Sequence, residues 1–153
     1  MHRFLLCISL LTLLHMLPLQ AQHYVLGLDS TRSDLRISIN MRGTQLTGIL
    51  IIVHDDTGEL RGTMVNEFGV RLFDFSAPNR LRRTRLHHMM GAMNKRYVRH
   101  IVASDLTHLL RATNESCGHI VRHHTTSTDS SGLITLTNLR HNITYTLRPI
   151  TQP

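Results

Sequence analysis

Tryptophan is absent from the 153 residues, lysine occurs once, as Lys95, and cysteine twice, as Cys7 and Cys117. Two cysteines cannot staple a small module through several bridges, so a disulfide scaffold is excluded. Acidic residues are few, 10 Asp and Glu against 17 Lys and Arg, and the net charge is +7. No G-x-S-x-G elbow displays a nucleophile, and no H-E-x-x-H or paired-cysteine spacing offers zinc a ligand set. The neighbouring carboxylates Asp55 and Asp56 fall in a turn, where they have a structural task. Glu67 and Asp74 are seven apart and face opposite sides of a regular strand. We therefore expect no catalytic residue, no enzyme activity and no cofactor.

Long apolar runs are also scarce. The most pronounced, Phe4 to Leu14, follows Arg3 and precedes "LPLQAQ". It is too short to span a bilayer; its positive start, apolar core and small Ala21 are those of a secretory signal peptide over residues 1–21. Residues 22–153 then form one domain. Cys7 comes too early for a lipid-attachment cysteine, and once it is removed Cys117 has no internal partner. Sixteen of the 17 Lys and Arg are arginine, which suits bidentate contact with phosphate or carboxylate. Behind a signal peptide the expected anion is a lipid headgroup or an anionic membrane surface, not nucleic acid.

Histidine is abundant, with 12 in all. His87 and His88 are adjacent, as are His123 and His124, and His119 and His123 share a face on a regular strand. No carboxylate stands near them in sequence to orient a ligating ring, so no metal site is expected.

What the chain does have is alternation. In "DLRISINMR" (34–42) Leu35, Ile37, Ile39 and Met41 share one face, the mark of a half-buried strand. "QLTGILIIVH" (45–54) is apolar on both faces, which predicts a strand that is central or covered on both sides. "DDTG" (55–58) reads as a hairpin turn, "ELRGTMVNEF" (59–68) as the returning strand, and "VRLFDF" (70–75) as its continuation. Within "VNEFGVRLFDF", Gly69 suggests a bulge or tight bend, with Asn66 and Glu67 satisfying the disrupted backbone. A basic strand "RLRRTRLH" follows. From His88 to Arg111 the period changes to a helical one with a broad apolar face, and Gly91 allows a break into two helices. Strands return at 118–124, 133–139 and 142–150, with a polar loop at 125–132. The fold class expected is α+β, mainly antiparallel: a curved sheet or incomplete β-barrel with a helical lid inserted between N-terminal and C-terminal strands.

The stretches "LTGILIIVHDDTGELRGTMVNEFGVRLFDF" and "RLHHMMGAMNKRYVRHIVASDLTHLL" resemble a group of small exported Gram-negative bacterial proteins. Those share G-x-L-x-[IV]…G…[NT]-E-F-G-x-x-[FL]-x-D-F, then a short strand and a helix containing L/M-N-K. That group in turn resembles the lipoprotein carrier and receptor superfamily (LolA/LolB-like). The likeness covers residues 46–111. It implies a LolA/LolB-like lipid-binding domain, a helical lid over an apolar acyl-chain cavity, and a periplasmic or outer-membrane-associated location.

The expected function is non-enzymatic binding or transport of a lipid or lipoprotein acyl group between sheet and helix; the partners are a lipid or acylated protein. The cavity wall is assigned to Ile37, Ile39, Ile49, Ile51, Met64, Phe73, Phe75, Met93, Tyr97 and Ile101, with Arg83 and Arg85 as headgroup contacts. The alternative is a structural or assembly protein of the cell envelope that docks on a membrane-protein partner through an exposed apolar patch.

Overall fold

The computed structural model describes residues 23–28, 31–78 and 82–150. The signal-peptide assignment, Cys7, and Leu81 of the basic run lie outside them. Among the described residues nine strands make one antiparallel sheet: β1 (Arg32–Met41), β2 (Thr44–His54), β3 (Leu60–Asn66), β4 (Arg71–Ala77), β5 (Arg85–Met89), β6 (Ile120–Val121), β7 (His124–Thr128), β8 (Ile134–Asn138) and β9 (Ile143–Pro149). The spatial order is β5-β4-β3-β2-β1-β9-β8-β7-β6, an open sheet. One α-helix, α1 (Arg96–Arg111), lies between β5 and β6 in the chain and follows a 3₁₀ turn at Gly91–Met93.

The alternation in β1 places Leu35, Ile37 and Ile39 in the core while Arg36 and Asn40 face outward. The register pairs Leu35 with Leu50, Leu50 with Met64, and Met64 with Phe73, which carries the inner face across four strands. Gly62 is required there, because the Phe75 ring lies where its Cβ would be.

The sheet curls around α1. β5 and β7 stand seven places apart, roughly 34 Å in a flat sheet at about 4.8 Å per strand, yet both touch one helix about 10 Å across. On one flank Thr107 Oγ1 accepts from the Thr84 N–H at 3.0 Å, and the Arg99 guanidinium donates to the Leu86 carbonyl at 2.6 Å. On the other flank Asp105 reaches β7, β8 and β9.

Three hairpins close by one device. Asp55, Asn66 and Asp129 each accept, through Oδ1, from backbone N–H groups two and four residues on. The glycine at the fourth position has φ of 78°, 74° and 77° in turn. "NEFG" is therefore a hairpin turn, and not a bulge within a strand. Asn66 satisfies the turn backbone as expected, whereas Glu67 accepts from the Thr47 hydroxyl at 2.8 Å. The bulge lies just beyond, where the β3–β4 register slips between Met64 and Val65. Consecutive Leu72 and Phe73 are consequently both buried.

Other expectations shift as well. The basic run becomes strand only from Arg85, and α1 begins at Arg96 because strand pairing holds the chain as far as Met89. The stretch 118–124 is a short hairpin, since Arg122 and His123 adopt positive φ of 48° and 70°. The polar segment after it forms β7 over His124–Thr128, and Thr126 is buried. β2 is central in the sheet, but its outer face is not covered: Ile49 is 39% exposed.

Candidate functional site: a basic cleft beside the helix N-terminus

The strand directions sort the connections onto two ends of the sheet. One end holds the turns after β1, β3, β6 and β8 and the start of α1; we call it the near end. The far end holds the turns after β2 and β7, the β4–β5 connection and the end of α1. There residues 23–28 cross beside the helix terminus: the Val25 N–H donates to the Ala112 carbonyl at 2.8 Å, and Leu26 and Leu28 are buried. The far half of the curl is therefore plugged.

The near half is not. A cleft of about 1620 Å³ opens between the N-terminal half of α1, the segment before β5, and the inner faces of β1, β2 and β9. Its floor is apolar, with Ile39, Met41, Leu46, Leu86, Met93, Ile101 and Ile143. Its lining also holds seven arginines (Arg42, Arg82, Arg83, Arg85, Arg96, Arg99 and Arg140) with His100 and His141, and no carboxylate. The arginine–carboxylate pairs Arg32–Asp34, Arg61–Asp55 and Arg71–Asp74 all lie elsewhere.

Local structure adds to the positive potential. α1 starts without a capping side chain or an acidic residue in its first turn, so its dipole end points positive charge in the same direction as Arg96 and Arg99. Arg83 donates to His100 Nδ1 at 3.0 Å, which draws the segment before β5 against the helix. Thr84 is 2% exposed, lines the cleft, and its Oγ1 has no partner among the described residues. A buried hydroxyl without a partner costs about 1–3 kcal/mol, which an acceptor in the cleft relieves. The set can hold an anionic group at its rim and apolar matter on its floor.

Of the residues read from the sequence, Ile39, Met93, Tyr97 and Ile101 line the cleft, as do Arg83 and Arg85. Ile37, Met64, Phe73 and Phe75 share the inner face, but they are at most 2% exposed and form the packed core beneath. Ile49 and Ile51 pair with Arg36 and Asp34 and face the opposite side of the sheet, out of reach of the cleft. Tyr97 belongs to the rim, being 62% exposed. The sequence reading missed Arg42 and the Arg140–His141 pair, basic residues at two near-end turns.

It also missed a buried polar cluster behind the cleft. Asp105 is fully buried. Its Oδ1 accepts from His124 Nε2 at 2.7 Å and Asn138 Nδ2 at 2.6 Å, and its Oδ2 from the Tyr145 hydroxyl at 2.7 Å. His124 Nδ1 lies 3.0 Å from the Arg122 carbonyl, so each ring nitrogen faces an oxygen. Burial, then the Asp105 charge and hydrogen bond, raise the Tyr145 hydroxyl well above its ordinary pKa. His108 stacks on His124 with ring centres 3.9 Å apart. Burial and then the His124 charge push His108 down to about 4. Among the described residues no three His, Cys, Asp or Glu side chains converge to hold a metal ion.

No protein-family model, curated protein or solved structure matches this chain.

Proposed function

We propose that the protein binds a lipid, or the acyl group of a lipoprotein, in the near-end cleft, and that it acts as a non-enzymatic carrier or binding protein at the periplasmic side of a Gram-negative outer membrane. The observation that supports this reading is the composition of the cleft: an apolar floor, seven arginines and no carboxylate. At about 1620 Å³ it exceeds the roughly 300–1,000 Å³ of a pocket for a drug-sized molecule. Acyl methylenes on the floor contribute about 0.8 kcal/mol each on burial. Arg83 and Arg85 reach the headgroup from one flank. The N-terminal half of α1 serves as the lid. This is the arrangement that likeness to the LolA/LolB-like carriers implies.

Two measurements test the reading. Lipid mass spectrometry on protein purified from membranes is expected to find a co-purifying anionic lipid or acylated peptide. A fluorescent fatty acid is expected to bind saturably and to be displaced by it. Absence of both signals removes the carrier reading.

A further inference from the structure

The two ends of the sheet differ in chemistry. Of the eight large apolar side chains exposed among the described residues, six lie at or beside near-end connections: Phe68, Val70, Tyr97, Ile120, Val121 and Leu139. Phe68, at the tip of the β3–β4 turn, is 88% exposed. The same end carries cations in its turns: Arg42 after β1, Lys95 before α1, Arg122 after β6 and Arg140 after β8. Glu67 is the carboxylate among these connections. The far-end hairpin turns after β2 and β7 carry Asp55, Asp56, Glu59 and Asp129, with Arg61 paired to Asp55 and Glu59, and the β4–β5 connection at that end carries Arg82 and Arg83, which line the cleft.

We infer that the near end is a docking face for an anionic lipid bilayer, with Phe68 and Leu139 entering the interface and Arg42, Lys95, Arg122 and Arg140 meeting the headgroups. Single apolar residues on projecting turns, spaced by arginines, match a surface that is soft, apolar a few ångströms down and negative on top. A folded protein partner is better met by one continuous flat patch, and the near-end side chains stand on separate turns. Each Lys or Arg near such a surface strengthens binding by about 1 kcal/mol, roughly fivefold. Arg42 and Arg140 also line the cleft, whereas Phe68, Leu139, Lys95 and Arg122 do not, so these four report on the docking face separately from the cleft reading.

The absence of native tryptophan makes the test direct. Phe68→Trp places a single reporter on the near-end tip and Thr57→Trp one on a far-end turn, each in the full chain. On addition of vesicles of phosphatidylcholine with one third phosphatidylglycerol, F68W emission is expected to shift to the blue and T57W emission to stay. Neither shifts with pure phosphatidylcholine, and added salt reverses the F68W shift. Lys95→Gln with Arg122→Gln is expected to lower vesicle partition about 25-fold and to leave fatty-acid binding unchanged. The apolar run Phe4 to Leu14 is common to every variant, so differences among them report on the near end. An unchanged F68W spectrum, an equal T57W shift, or wild-type partition of the double variant overturns the proposal. Failure to bind vesicles at all also overturns it and leaves the exposed apolar tips to a protein partner.

Discussion

The two halves of α1 sit in different surroundings. In the C-terminal half Leu106, Leu109 and Leu110 are each 1% exposed, Asp105 is fully buried, and Leu26 packs from outside the helix. In the N-terminal half Val98 and Val102 reach the core, but Tyr97 is 62% exposed, Ile101 is half-buried against the cleft, and Arg96 and Arg99 line the cleft beside them. One curled sheet surrounds both halves, so its shape does not account for the difference. The difference comes from what enters the curl: residues 23–28 close the far end beside the helix terminus, whereas the near half opens on the cleft. Stability is concentrated where donors and acceptors are matched, and binding capacity where they are not. Tyr145 joins the two, since it lines the cleft and donates its hydroxyl to Asp105.

Substitutions should separate the halves. Asp105→Ala removes the shared acceptor of three buried donors, His124, Asn138 and Tyr145. We expect a loss of about 3–5 kcal/mol, read by urea unfolding. A variant within 1 kcal/mol of wild type would mean that the cluster does not hold α1 to β7, β8 and β9. Next in size is a pair on the same helix. Leu106→Ala is expected to cost about 2–5 kcal/mol, while Ile101→Ala costs less than about 1.5 and weakens fatty-acid binding instead. Equal stability losses would show that the near half is packed as tightly as the far half.

The cleft arginines come third. Arg83→Ser with Arg85→Ser is expected to weaken an anionic amphiphile by about 1.5–3 kcal/mol, a tenfold or greater rise in Kd. An uncharged acyl probe should bind as before, because it uses only the floor. The smallest effect is a pH dependence. His108 is pushed down to about 4 from 6.5 in the folded state, so the unfolded chain binds its proton more readily. That part of the stability is present above about pH 6.5 and is lost as pH falls toward 4. Solvent screening at a half-buried ring holds the effect to about 1 kcal/mol. His108→Gln should flatten the stability profile between pH 4 and 6.5; an unaltered slope would place the titration elsewhere.

Much of the fold was readable residue by residue. The alternation in β1 and β9 predicted their inward faces, and D-x-T-G marked its hairpin. The same spacing recurs at Asn66–Gly69 and Asp129–Gly132, which the sequence reading took for a bend and a loop. The site was half legible. Ile39, Met93, Tyr97, Ile101, Arg83 and Arg85 were picked out by period and charge, but Phe73 and Phe75 were assigned to the cleft when they belong beneath it. Period two tells which residues share a face. It does not tell whether the space above that face is filled.

Taken alone, then, the sequence settles a basic, arginine-rich chain with antiparallel strand patterns, a helix before the last strands, and a turn at Asp55. These depend on local sterics, on periodicity, and on residues within a few positions of one another. Only the tertiary structure decides that Ile49 faces outward, that the far half of the curl is plugged, and that Asp105 is a hub. The partners of Asp105 lie 19, 33 and 40 residues away. No local pattern carries that information, because a buried carboxylate in a helix is recognisable only once the strands that satisfy it have wrapped around it.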